Sequence, residues 1–258
     1  MLSLDSSSIA SVALSRDGEV LSRFDTTDTR SHAEALAPAV QDLMTEAGLT
    51  GADLDAVLVG TGPGPFTGLR AGLVTARTLG FAWGLPVHGM CSLDAVAFHM
   101  APEALAAGHT EFVVVTDARR KELYRRSYRV HEDALGPVIA PTDDPRVGAP
   151  EDVPALPCYG SGAGLYPDRL PHTVPGFTEL HPSAADLTRT VGLSGAVASA
   201  RTSWSWEIED FDKIPREFLR LDEDLIKAAA KSRDPVTRRP VRAIPGIRWV
   251  ENHKMGVR

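Results

Sequence analysis

Cysteine is scarce in this 258-residue chain, with only Cys91 and Cys158. Two isolated thiols make no disulfide framework, so they are expected to be buried or idle in a reducing cytoplasm. No apolar run reaches the roughly 20 residues that a bilayer-spanning helix needs, and no membrane partner is expected. The opening Met1-Leu2-Ser3-Leu4-Asp5 lacks a basic stretch followed by an apolar one, so no signal peptide is expected. Positive charge is also short. The net charge is −7, and it is uneven: residues 1–200 hold 14 Lys+Arg against 24 Asp+Glu (−10), residues 201–258 hold 13 against 10 (+3). An acidic body of this kind is a poor lone binder of a nucleic acid.

Apolar residues make up 43% of the chain, enough for one large domain or two small ones. Residues 2–24 read as three strands, with Asp17-Gly18 as a hairpin turn. A helix follows. Ser31 is its expected N-cap with Glu34 in the capping-box position, and Ala33, Leu36, Ala37, Val40, Leu43, Met44 and Ala47 form its apolar stripe. Pro38 is expected to kink it. A second helix is expected over about 67–83, closed by Gly84. Gly68, Gly72, Ala76 and Gly80 recur every fourth residue on it, leaving one face nearly bare, so that another helix could approach closely. Ser92 is expected to cap a helix through about Met100, with a linker at Pro102 and Gly108. Leu123 to Val130 reads as a strand with arginines on one side, and Pro182-Ser183 starts a helix to about Val191. A fresh strand start near residue 111 suggests two α/β lobes.

The segment Gly60-Thr61-Gly62-Pro63-Gly64-Pro65-Phe66-Thr67-Gly68 is too rich in Gly and Pro to be anything but a loop. A glycine-rich turn entering a helix could cradle phosphate with its free amides, or it could simply seat the helix. It is no Walker loop, because Leu69 and Arg70 stand where Lys and Ser/Thr would have to. Neither His-Glu-x-x-His nor Gly-x-Ser-x-Gly occurs, so proteolysis has no support. Asp5 and Asp117 are carboxylates at strand ends that could do acid–base work or serve structure.

Four blocks resemble the TsaB (YeaZ-like) family of tRNA-modification subunits. Gly60 to Gly72 is similar to that family's VGxGPGSFTGLRIG motif, with Pro65 where Ser is usual. Leu4-Asp5-Ser6-Ser7 resembles its LDTS, and His32-Ala33-Glu34 with Leu36 and Pro38 its HAExLxP helix. Asp117-Ala118-Arg119-Arg120 with Glu122 and Tyr124 resembles DARRxEVY. The resemblance covers about residues 2–190. It implies an α/β fold of the actin, sugar kinase and Hsp70 type with two related lobes. It also implies a non-catalytic subunit that supports a TsaD-like catalytic paralogue and a TsaE-like ATPase in making threonylcarbamoyladenosine. Such a subunit is a homodimer when alone, meets tRNA only indirectly, and carries no cofactor. By the same resemblance Asp5, Gly62, Gly64, Thr67, Asp117, Arg119 and Arg120 are the motif residues. The partner interface falls on His32, Leu36, Leu43, Gly68, Arg70, Gly72, Ala76 and Gly80.

The residues agree with an inert subunit. Nucleotide-binding members of the fold need a glycine in the first strand turn for close phosphate approach; here Asp5 is followed by Ser6, Ser7 and Ser8. The catalytic paralogue holds a metal with two histidines one helical turn apart, and no histidines here are four apart. The competing reading is a catalytic member of the fold, a small-molecule kinase or carbamoyltransferase. The expected organisation is a first lobe over 1–105, a second over 106–195, and an atypical tail over 196–258. The family's closing Tyr-Leu-Arg-type segment is missing from that tail. Pro215-Arg216-Glu217-Phe218-Leu219 and Ile244-Pro245-Gly246-Ile247 resemble the C-terminal part of certain tailed-phage proteins. The tail's own pattern suggests a strand, a helix at about 222–231 and a final strand pair.

Overall fold

The computed structural model describes residues 1–26, 32–134, 136–195 and 206–207. In chain order its elements are β1 (Leu2–Asp5), β2 (Ser11–Arg16), β3 (Glu19–Asp25), α1 (His32–Glu46), β4 (Val57–Gly60), α2 (Phe66–Trp83), β5 (Val87–Met90) and α3 (Ser92–Ala106). There follow β6 (Glu111–Asp117), β7 (Leu123–Asp133), β8 (Gly136–Pro141), β9 (Arg146–Gly148), β10 (Cys158–Tyr159), α4 (Ala184–Gly195) and β11 (Trp206–Glu207).

The first sheet runs β11-β5-β4-β1-β2-β3. Asp17 and Gly18, both at positive φ, make the tight turn that joins β2 to β3. Strand β1 lies centrally and is buried on both faces. Its side chains alternate: Leu2 and Leu4 join Leu36, Val40, Leu69 and Leu73 of α1 and α2 in one core. Ser3 points the other way and hydrogen-bonds Thr188 of α4 at 2.7 Å. Each fully buried leucine contributes about 1.5–3 kcal/mol.

The second sheet runs β10-β6-β7-β8, with β9 also on β7. Its pairing repeats the first. In both, a leading strand (β1 or β6) is antiparallel to the next, that one is antiparallel to the third, and a later strand (β4 or β10) returns parallel to the first. The expected two related α/β lobes are thus present as two sheets of one plan. The helices do not respect the division at 105/106. Helix α3 buries Val96, Ala97 and Met100 against Phe112, Val114 and Tyr128 of the second sheet. Helix α4 returns to the first sheet, where Ala184 and Ala185 pack on Ala13.

Several local expectations are corrected. The buried stripe of α1 contains Ala39, while Ala37 and Ala47 are exposed. Helix α3 runs through Pro102 to Ala106; burying Met100, Ala101 and Ala104 offsets the roughly 3 kcal/mol that an interior proline costs. Ser92 is the first helical residue after Cys91 and is not the cap. The arginines of β7 split between its faces. Arg125 pairs with Asp143, and Arg126 with the buried Asp94. The described residues of the tail form a short strand, with Trp206 opposite Gly89 and Glu207 opposite His88 on β5. The capping box at Ser31, the 222–231 helix and the closing strand pair lie outside the described residues.

Candidate functional site

The first-strand turn is filled by its own side chains. Asp5 is completely buried. Its Oδ1 accepts the Ser7 amide at 2.8 Å and the Ser7 hydroxyl at 2.7 Å, and its Oδ2 accepts the Ser92 hydroxyl at 2.6 Å. Ser92 Oγ accepts in turn the Gly62 amide at 3.0 Å, which ties the glycine loop to β1. A Cβ at Gly60 would collide with Asp5, and one at Gly64 would sit 2.5 Å from the Ser7 carbonyl oxygen. Gly64 also accepts the Tyr124 hydroxyl at 3.2 Å, from the second sheet. The two loops are therefore pressed together, backbone against backbone. Beside them, Ser8 Oγ and His181 Nδ1 are 2.7 Å apart, and burial holds the His181 imidazole below its ordinary pKa.

The small residues of α2 face this same turn. The Ser6 hydroxyl donates to the Gly68 carbonyl at 2.7 Å and accepts the Gly72 amide at 3.0 Å. It thus bonds both the carbonyl and the amide of one i, i+4 pair of the helix. A Cβ at Gly72 would run into that hydroxyl, and one at Gly80 would run into Val87. Ala76 is wholly buried. The bare stripe is a seat for the chain's own β1 turn and β5.

Most of the residues expected at the partner interface lie inside the lobe. Gly68, Gly72, Ala76 and Gly80 are buried inside the lobe, and Leu36 and Leu43 belong to its core. Among the described candidates Arg70 alone is partly exposed, with its guanidinium 4.9 Å from the Phe66 ring. The side chain of His32 lies outside the described part of the chain. The outer face of α2 carries two residues that the sequence pattern did not single out: Val74 is 58% exposed and Phe81 57% exposed. They stand seven residues apart, two helical turns, on one face. Their signal was in the sequence as two large apolar residues off the small stripe.

Asp117 closes the β6–β7 turn. Its Oδ1 accepts the Arg119 amide at 2.8 Å and its Oδ2 pairs with the Arg119 guanidinium at 3.2 Å. Arg119, Arg120 and Lys121 all adopt positive φ (65°, 51° and 65°). A separate buried cluster fastens α3 to β7. Asp94 accepts Arg126 at 2.8 Å and the Tyr128 hydroxyl at 2.7 Å; burial pushes its carboxyl up, and the two donors hold it down. Burial pushes the thiols of Cys91 and Cys158 up to about 12, so both are unreactive at neutral pH. Among the described residues no three His, Cys, Asp or Glu stand together as a metal cage. No described helix is long and apolar enough to cross a membrane.

Comparison with known proteins adds the family. A family model described as tRNA N6-adenosine threonylcarbamoyltransferase (TsaD) matches residues 19–145. An uncharacterised Mycobacterium tuberculosis protein is 45% identical over 158 residues, 58% of this chain and 71% of that one. The Escherichia coli protein TsaB is 35% identical over 137 residues, 52% of this chain and 57% of its own length. The solved structure of YeaZ from Pseudomonas aeruginosa superposes with a TM-score of 0.62 at 31% identity, covering 77% of this chain and 92% of that one. The chain belongs to the TsaB (YeaZ-like) family. Its two sheets are those of the actin-like fold.

In this TsaB-family chain the long glycine motif has a physical account. Gly62 stands at φ 85°, Gly64 lets the loop touch Ser7, and Thr67 is exposed in the first turn of α2. Pro65 precedes α2 as its N-cap residue, with no side-chain cap bond.

Proposed function

We propose that this chain is a non-catalytic partner subunit that supports a TsaD-like catalytic paralogue in forming threonylcarbamoyladenosine on tRNA. Relatives in Escherichia coli and Bacillus subtilis are named tRNA threonylcarbamoyladenosine biosynthesis protein TsaB, which supports a part in that modification. The inert role rests on one observation. Asp5 is saturated by Ser7 and Ser92, and Gly64 lies against the Ser7 backbone, so the turn that would receive a phosphate is occupied. On this reading the protein works in the cytoplasm, joins a TsaE-like ATPase through the complex, and self-associates when alone. The docking face is the outer side of α2, through Val74 and Phe81 with Arg70 beside them. An apolar pair of this exposure suits a buried contact core.

Two measurements test this. Titration calorimetry with ATP and magnesium should give no stoichiometric heat, whereas a dissociation constant of about 10 μM or tighter, roughly −7 kcal/mol, would overturn the inert role. Size-exclusion chromatography with light scattering, run alone and with a TsaD-family protein, should show a complex with the latter; its absence would overturn the partner role.

A further inference from the structure

The β6–β7 turn concentrates cations on an acidic protein. Residues 117–129 hold six of the fourteen Lys+Arg found in residues 1–200, against two acids, Asp117 and Glu122. Four of the six are spoken for: Arg119 by Asp117, Arg125 by Asp143, Arg126 by Asp94 and, further along β7, Arg129 by Glu111. Arg120 and Lys121 are exposed, and among the described residues neither has a hydrogen-bond or ion-pair partner. Among those residues their backbone amides have no acceptor either.

The backbone there is held in an uncommon form. Three consecutive non-glycine residues at positive φ are disfavoured by their own Cβ atoms. The turn keeps them because it is braced from both sides. The Ala118 amide donates to the Glu122 carbonyl at 3.1 Å, the Glu122 amide to the Arg119 carbonyl at 2.9 Å, and Asp117 grips Arg119. Such strain persists where surrounding structure over-determines it, commonly at a ligand contact. The result is a stiff loop offering two side-chain cations and two free amides. Tyr124, two residues into β7, reaches the glycine loop, so the turn borders the face where the two sheets meet.

We infer that Arg120 and Lys121 contact the phosphodiester backbone of RNA directly, as a positioning point on the substrate of the complex. The inference rests on the tRNA-modification role proposed above. Phosphate contacts position a protein without reading sequence, and a two-cation point on a body of net −10 suits a local grip on a strand whose remainder is held elsewhere.

The test is RNA binding as a function of salt, by fluorescence anisotropy with a bulk tRNA probe. The chain is measured alone and with its TsaD-family partner, wild type against Arg120→Ala/Lys121→Ala. The variant should weaken binding about five-fold at low salt and flatten the log–log salt slope by about 2, close to one for each phosphate no longer neutralised, with complex assembly unchanged. Equal slopes in both settings would overturn the proposal. So would a variant that fails to assemble with the partner while its RNA slope is kept, because the turn would then hold an acidic protein surface. If no complex forms at all, the partner role fails on its own, and the titration of the chain alone still decides the RNA contact.

Discussion

The two faces of α2 differ in side-chain size and do opposite things. The inner face, Gly68, Gly72, Ala76 and Gly80, is small because Ser6 and Val87 need the room. The outer face carries Val74 and Phe81 and meets nothing among the described residues that hides them. Along the sequence, a stripe of small residues looks like the docking face. In the folded chain it is an internal contact, and the bulky residues are the ones left outside. A small residue marks where another group comes close, without saying whose group it is.

The strongest way to break this comparison is to enlarge the inner face. Gly72→Leu should unseat Ser6 and cost about 3 kcal/mol or more, because overpacking a filled contact costs about 1–3 kcal/mol and a buried hydroxyl is parted from its partners besides. Thermal melting would show it as a lower or non-cooperative transition. The milder pair Gly72→Ala and Ser6→Gly/Gly72→Ala sharpens the point: removing the Ser6 side chain should recover much of the loss. If Gly72→Leu melts like the parent but no longer associates, the small stripe is a docking face after all.

The outer face should respond in the opposite sense. Val74→Glu with Phe81→Glu should leave the stability within about 0.5 kcal/mol of the parent, as exposed substitutions usually do. It should weaken association with the TsaD-family partner at least about tenfold, since removing buried anchors from an interface commonly costs about 1 kcal/mol or more each. Light scattering and a titration of the complex report on association, and thermal melting on stability. Unchanged affinity in a folded variant would move the interface off α2.

Much of the fold could be read from the residues, and the reasons are local. Asp17-Gly18 names its turn, Gly84 stops α2 at φ 68°, and Ser183 opens α4 by bonding the Asp186 amide. What escaped depends on distant partners. Nothing near Pro102 says that Met100 and Ala104 will be buried deeply enough to carry a helix through it. Nothing near Ser92 says that its hydroxyl will serve Asp5, 87 residues away. The site was half legible. The missing glycine after Asp5 pointed to a turn filled by side chains, but the groups that hold it come from α2 and α3, with Gly72 bonding Ser6 and Ser92 bonding Asp5.

A smaller effect separates buried polar contacts from rim ones. Asp5 is sealed, whereas His99 Nδ1 bonds Asp186 at 3.2 Å with its side chain 44% exposed. The Asp186 hydrogen bond raises the His99 pKa above the ordinary 6.5. The stabilisation it brings is therefore fully present below about pH 6.5 and fades as pH rises through the raised value. Arg189 and Arg23 oppose it, and solvent screening keeps it under about 1 kcal/mol. His99→Gln should lower the melting temperature more at pH 5.5 than at pH 8.5. An equal drop at both would mean that packing between α3 and α4, and not charge, is what the histidine supplies.

The smallest expected change is a gain. Lys121 at φ 65° holds a conformation that costs a non-glycine residue of order 1 kcal/mol or more, while glycine reaches it freely and loses about 0.5–1 kcal/mol in chain entropy on folding. Lys121→Gly should therefore stabilise the protein slightly, by about 0.5 kcal/mol, seen as a higher urea midpoint at an unchanged slope. If the turn is kept strained for its contact, the same variant should bind RNA more weakly although it is more stable. A variant that is destabilised instead would show that the Lys121 side chain supports the turn, and that the left-handed run is ordinary packing with no exposed contact to serve.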